Sequence, residues 1–87
     1  DGMRTQSIGK RNFEILMKHV DDVVTVSDDQ VIEMMKFLLE RMKTVAEPTG
    51  AVAPAAVYHN VLGLQDKNIC AIISGGNVNP AFLKKIL

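Results

Sequence analysis

Cysteine occurs once in these 87 residues, at Cys70, so the chain has no internal disulfide to draw on. Cys70 falls inside an apolar run, where a reduced, buried thiol is the expectation, and that favours a cytoplasmic setting. Net charge is missing as well. Ten basic and ten acidic residues give a formal charge of zero, which offers no long-range attraction to nucleic acid or to anionic membranes. No apolar stretch approaches the length that crosses a bilayer. His19 and His59 stand apart from any carboxylate or cysteine at ligand spacing, so both are expected to be structural or exposed, and no metal site is expected. These absences argue against a polyanion binder, a membrane span and a disulfide scaffold, and they leave a soluble domain.

Apolar residues make up 47% of the chain. A chain of this size folding alone buries only roughly 60% of its unfolded surface. So apolar a composition in so short a chain reads as one piece of a larger core. The chain starts Asp1-Gly2-Met3, without an initiator methionine or a signal-like leader, and the expectation is that an N-terminal part of the protein precedes it.

Helical and strand-like patterns alternate along the chain. Phe13, Leu16, Met17 and Val20 recur at three- and four-residue spacing, which predicts a short helix near 11–19 with one buried face. Val23-Val24-Thr25-Val26 is β-branched throughout and predicts a first strand. Ser27 and Gln30 have capping-box spacing, so a helix should begin there. Its stripe is Val31, Met35, Leu38, Met42 and Val45, with Ile32 and Leu39 beside it, and its methionines read as core filler. Glu47-Pro48-Thr49-Gly50 ends that helix, because proline removes a donor and restricts the residue before it. Residues 51–58 form a small-residue helix with Pro54 near its first turn, and Gly63 is a plausible stop. Residues 69–73 predict a second strand. Asn79-Pro80 then opens a final helix through Leu87 with cap-then-proline chemistry.

Forty-odd residues and two helices separate the two strand patterns, which suits a crossover between parallel strands and rules out a hairpin. The fold class expected is therefore α/β, part of a parallel sheet with helices on both faces, whose remaining strands lie outside these residues. Open sheets of this kind bind ligands beyond the carboxyl ends of their strands. The apolar run Ile69-Cys70-Ala71-Ile72-Ile73 stops there at Ser74-Gly75-Gly76-Asn77. Two glycines let backbone approach a bound group closely, while Ser74 and Asn77 carry hydrogen-bonding atoms. A turn without a ligand remains an equal alternative on these residues alone.

Asp1-Gly2, Val20-Asp21-Asp22-Val23-Val24-Thr25-Val26, Glu40-Arg41-Met42-Lys43, Glu47-Pro48-Thr49-Gly50-Ala51-Val52 and Ile73-Ser74-Gly75-Gly76-Asn77-Val78 occur in this order. Together they resemble the C-terminal part of the threonine dehydratase and serine racemase family, across nearly the whole chain. Glu-Pro-Thr-Gly combined with Ser-Gly-Gly-Asn is specific, whereas Ser-Gly-Gly alone would be weak.

The resemblance implies a fragment of a fold type II pyridoxal-phosphate enzyme, with residues 1–87 forming the C-terminal segment of its large, cofactor-binding domain. It implies pyridoxal 5'-phosphate as cofactor and β-elimination from threonine or serine to a 2-oxo acid and ammonia. Serine racemase is the near alternative, and a non-catalytic α/β module that has lost the cofactor is the distant one. By resemblance, Ser74 matches the serine whose hydroxyl meets the pyridine nitrogen, Glu47 matches a glutamate near the cofactor, and Gly75 and Gly76 shape the pocket wall. Glu47 also reads as a solvated carboxylate at a helix end. Lys43 and Asn77 match positions that face an adenine nucleotide effector in one branch, although Lys43 also reads as an ordinary exposed helix residue. The lysine that holds the cofactor, the glycine-rich phosphate cradle and the metal ligands lie upstream in the family, so no catalytic residue is expected in this segment and the segment alone should be inactive. A homo-oligomer, dimer or tetramer, is expected by the same resemblance.

Overall fold

The computed structural model of the protein describes residues 2–87. Asp1, half of the Asp1-Gly2 pair, lies outside them. In chain order the elements are α1 (Lys10–His19), α2 (Asp28–Met42), a 3-10 turn (Thr49–Ala51), α3 (Val52–Tyr58) and α4 (Pro80–Ile86). The expected parallel sheet is not there: no strand occurs among the described residues, and the architecture is helical. Residues 23–26 and 69–73 carry the composition of strands, but a strand exists only through a ladder partner, and neither segment has one. Val23 and Ile72 are instead 82% and 74% exposed.

α2 is the centre of the molecule. Its start follows from Ser27: the hydroxyl accepts from the Gln30 N–H at 3.2 Å while Gln30 Oε1 accepts from the Ser27 N–H at 2.9 Å. Both orphan donors of the first turn are thereby satisfied, as the capping-box spacing predicts. Ser27→Ala should cost about 1 kcal/mol of helix stability, so α2 amides should exchange with solvent about fivefold faster. Unchanged exchange would show that tertiary packing alone holds this end.

The buried face of α2 is Val31, Met34, Met35 and Leu38. Val31, Met35 and Leu38 are buried as the stripe predicts and Met34 joins them, whereas Met42 and Val45 are exposed. α2 ends at Lys43, whose φ of 56° is left-handed, and the Thr44 N–H then donates to the Leu38 carbonyl at 2.9 Å. A lysine in the place glycine usually takes gives no hint in the sequence of where the helix stops.

α3 packs on α2 through small side chains. Ala51 and Ala55 are fully buried in one cluster with Met35 and Leu38, and their single methyls let the two backbones approach closely. Phe37 and Tyr58 close the edge of this pair, with ring centroids 5.4 Å apart. His59 caps α3, and its Nε2 lies 3.4 Å from Glu33 Oε2 on α2. The pair is close enough for an ion pair when His59 is protonated, yet that nitrogen makes no directed hydrogen bond. Gly63, at φ 66°, lies in the turn beyond α3 rather than at its end.

α4 begins at Asn79, whose Oδ1 accepts from the Ala81 N–H at 2.8 Å, with Pro80 in the first helical position. Phe82, Leu83 and Ile86 lean on the α2 cluster. α1 forms where its periodicity places it, but the buried face expected of it is not buried: Phe13, Leu16, Met17 and Val20 are all exposed. Cys70 is likewise exposed and free, not buried. No helix of the described residues is long and apolar enough to cross a membrane.

Candidate functional site

Two irregular segments meet at the edge of the helical cluster, and their meeting rests on glycine. The chain leaving α2 runs through Val45, Ala46 and Glu47 into the 3-10 turn, where the Ala51 N–H is shared between the Glu47 and Pro48 carbonyls, 3.1 Å from each. Against it lies Ser74-Gly75-Gly76-Asn77. The Glu47 N–H donates to the Gly75 carbonyl at 2.9 Å. A Cβ on Gly76 would come 2.7 Å from the Val45 carbonyl oxygen, and one on Gly75 would run into the Glu47 carboxylate. Neither position admits a side chain without displacement, so these glycines serve close backbone approach. The Val78 N–H closes a tight turn onto the Gly76 carbonyl at 3.0 Å, which directs the chain into α4.

A cleft of about 500 Å³ opens beside this contact. Glu47, Thr49 and Asn77 line one side of it, Arg4 and Asp28 contribute charge, and Val31, Val52 and Phe82 supply apolar wall. Gly2 reaches the same region, because a Cβ on it would lie 3.0 Å from both Thr49 Cγ2 and Thr49 Oγ1. The structure thus brings Glu47 and Asn77 into one cleft. Ser74 is exposed and outside that lining, with no side-chain hydrogen bond among the described residues. Gly75 is half-buried and Gly76 exposed, and neither lines the cleft. Lys43 also lies outside the lining, and its Nζ turns back to donate to the Glu40 carbonyl at 2.7 Å.

Sequence reasoning passed over Met3, Arg4, Asp28 and Thr49 as lining residues. Nothing in periodicity marks the first two, since they reach the cleft from a segment without regular structure. Thr49 belongs to the Glu-Pro-Thr-Gly motif, and that motif was the signal available. Among the described residues, no group of three or more histidine, cysteine or acidic side chains could hold a metal.

The cleft, with Glu47 and Asn77 in its lining, lies beside the contact between the two glycine-bearing segments, and Ser74 is exposed outside that lining. The chain belongs to the family described as pyridoxal-phosphate dependent enzyme, whose model matches residues 1–75. It is 47% identical to serine racemase of Schizosaccharomyces pombe over 79 residues, covering 91% of this chain and 24% of that protein. Over all 87 residues it is 38% identical to L-threonine ammonia-lyase of Thermotoga maritima, covering 21% of that protein. Its fold matches the crystal structure of a T.th. threonine deaminase with a TM-score of 0.83 and 41% identity, covering 90% of this chain and 28% of that one. The chain therefore spans about a quarter of the length of the relatives it matches.

The donor set suits the family's cofactor. A hydroxyl can donate one hydrogen bond to an unprotonated pyridine nitrogen, and Ser74 has its hydroxyl unengaged by the described residues. Beside it, Gly75 carries no side chain, and the Glu47 carboxylate occupies the space that a Cβ there would need. Ser74, Gly75 and Glu47 are the residues that would hold the ring, and the cofactor when bound supplies the electron sink for chemistry at the substrate's α-carbon.

Proposed function

We propose that this chain is the C-terminal segment of the cofactor-binding domain of a threonine/serine ammonia-lyase, acting by β-elimination on a small β-hydroxy amino acid. The observation that carries the reading is the Ser74-Gly75-Gly76 turn seated on Glu47, with a free hydroxyl at its head. The similarity to a threonine ammonia-lyase and to a threonine deaminase structure supports the substrate class. In this reading Ser74 orients the pyridine ring through its nitrogen, and Glu47 and the two glycines shape the adjoining wall. An uncharged hydroxyl leaves the ring nitrogen unprotonated, which makes the ring a weaker electron sink than a carboxylate would and is enough to expel a β-hydroxyl.

Serine racemase is the second reading, favoured by the 47% identity to the fission yeast enzyme. Racemisation needs an acid/base group on the opposite face of the substrate, and in this reading that group comes from outside the 87 residues. We further propose a cytoplasmic homo-oligomer and an adenine nucleotide effector. Asn77 in the cleft is the support for the effector, while Lys43 lies outside the lining with its Nζ on the Glu40 carbonyl.

The test is Ser74→Ala in the holoenzyme. Losing one neutral hydrogen bond should weaken cofactor binding by about 1 kcal/mol, or about fivefold. Turnover of threonine or serine to 2-oxo acid should fall further, because ring position enters the transition state as well. A variant with wild-type cofactor absorbance and wild-type rates would sink the assignment of Ser74. Release of 2-oxo acid with retention of chirality in the remaining substrate separates the lyase from the racemase.

A further inference from the structure

Ser74 makes no side-chain hydrogen bond that could aim its hydroxyl, so its direction is set by its backbone, and that backbone is set at Gly75. Two constraints converge there. The Glu47 N–H holds the Gly75 carbonyl at 2.9 Å. Three residues after Glu47, Gly50 lies against the same peptide: a Cβ built on it would come 2.5 Å from the Gly75 oxygen, 2.8 Å from the Gly75 nitrogen and 3.3 Å from the Gly75 carbonyl carbon. That nitrogen belongs to the Ser74–Gly75 peptide bond. Gly50 is buried within the 3-10 turn, next to the fully buried Ala51, so the surface it offers is held in place by packing. It has no conformational need to be glycine, because Gly63 is the one glycine with positive φ among the described residues. Space is the reason.

We propose that Gly50 is a positioning residue for the cofactor site: its missing side chain lets Gly75 seat on the Thr49–Ala51 turn and thereby fixes where the Ser74 hydroxyl meets the pyridine nitrogen. The inference rests on Ser74 being the ring-nitrogen partner. Gly75 makes a graded comparison, since a Cβ there meets the end of the flexible Glu47 side chain, whereas a Cβ at Gly50 meets backbone that has to move. Gly50→Ala should therefore disturb the site more than Gly75→Ala does.

The experiment compares Gly50→Ala, Gly75→Ala and Ser74→Ala in the holoenzyme. The readouts are the cofactor absorbance spectrum, cofactor dissociation, and deuterium uptake of peptides covering 45–51 and 72–78. Gly50→Ala should shift the spectrum in the same sense as Ser74→Ala and weaken the cofactor at least as much, about fivefold or more, with far-UV circular dichroism unchanged. Gly75→Ala should fall between wild type and Gly50→Ala. If Ser74→Ala alters the spectrum while folded Gly50→Ala leaves it and the affinity as in wild type, the positioning role is refuted and the Ser74 assignment stands. If Ser74→Ala changes nothing, the Ser74 assignment fails and the role of Gly50 fails with it. Should Gly50→Ala not fold, the wild-type apoenzyme decides. Peptides 45–51 and 72–78 must then open with one exchange rate, and independent opening overturns the proposal.

Discussion

Expressed by itself, the 87-residue chain should show no cooperative thermal transition and poorly dispersed amide signals. A folded monomer of 9.6 kDa exposes roughly 5,100 Å² by the usual scaling of surface with mass, whereas this chain exposes 7211 Å². Its radius of gyration, 14.2 Å, exceeds the roughly 12 Å expected of a compact domain of this length. The excess is apolar to a large extent, since Phe13, Ile15, Met17, Val23, Ile69 and Ile72 stand among the exposed side chains. Against this, the buried core of the described residues is Val31, Met34, Met35, Leu38, Ala46, Ala51, Ala55 and Ala56, in which only the two methionines and the leucine are large. Ordering a residue's backbone costs about 1–2 kcal/mol. Burying a large apolar side chain returns about 1.5–3 kcal/mol, and too few are buried here to offset the ordering of α1 and of the two irregular segments. A sharp calorimetric transition with dispersed amide resonances for the isolated chain would refute this. The same segment inside the holoenzyme should melt with the whole.

What was legible in the sequence divides along the range of the interactions. Local rules located the helices, because Ser27 with Gln30 and Asn79 with Pro80 satisfy their own helix ends through neighbours in the chain. The end of α2 was not legible: Glu47-Pro48 marks a stop, but the helix already ends at Met42 with Lys43 as its C-cap. Nor was the sheet, since Val23–Val26 and Ile69–Ile73 can form strands only against partners, and apolar composition records a need for cover without saying what meets it. The expected buried face of α1 and the expected buried thiol of Cys70 failed on the same point. Lys43 ended α2 in a left-handed conformation that lysine does not announce. At the site, the Ser-Gly-Gly and Glu-Pro-Thr-Gly motifs were legible as separate segments, and the Glu47–Gly75 hydrogen bond that joins them was not. The seat of Gly75 on Gly50 joins two segments far apart in sequence, and no local rule could have paired them.

Ser74→Asp should have the larger effect on chemistry of the two changes at this position, and its sign differs from that of Ser74→Ala. Removing the hydroxyl deletes one donor, while a carboxylate replaces a donor with an acceptor that carries charge. Next to a pyridine nitrogen, an anion within about 4–6 Å raises the nitrogen's affinity for a proton, by roughly 1–3 pKa units. Each unit is worth about 1.4 kcal/mol between the two protonation states, so the ring passes from mainly unprotonated to mainly protonated over a window displaced to higher pH. Below that window the protonated ring draws charge from the α-carbon more strongly, and there the variant should divert substrate from elimination towards side reactions. Elimination turnover should drop by about tenfold or more, equivalent to about 1.4 kcal/mol at the transition state. The fold should hold, because Ser74 is exposed and an aspartate there can stay solvated. Cofactor absorbance titrated against pH gives the nitrogen's behaviour directly, and the ratio of 2-oxo acid to total substrate consumed gives the diversion. A titration curve and product ratio identical to wild type would place the ring nitrogen away from residue 74, and the cofactor wall would then have to be sought elsewhere along the Glu47–Asn77 cleft.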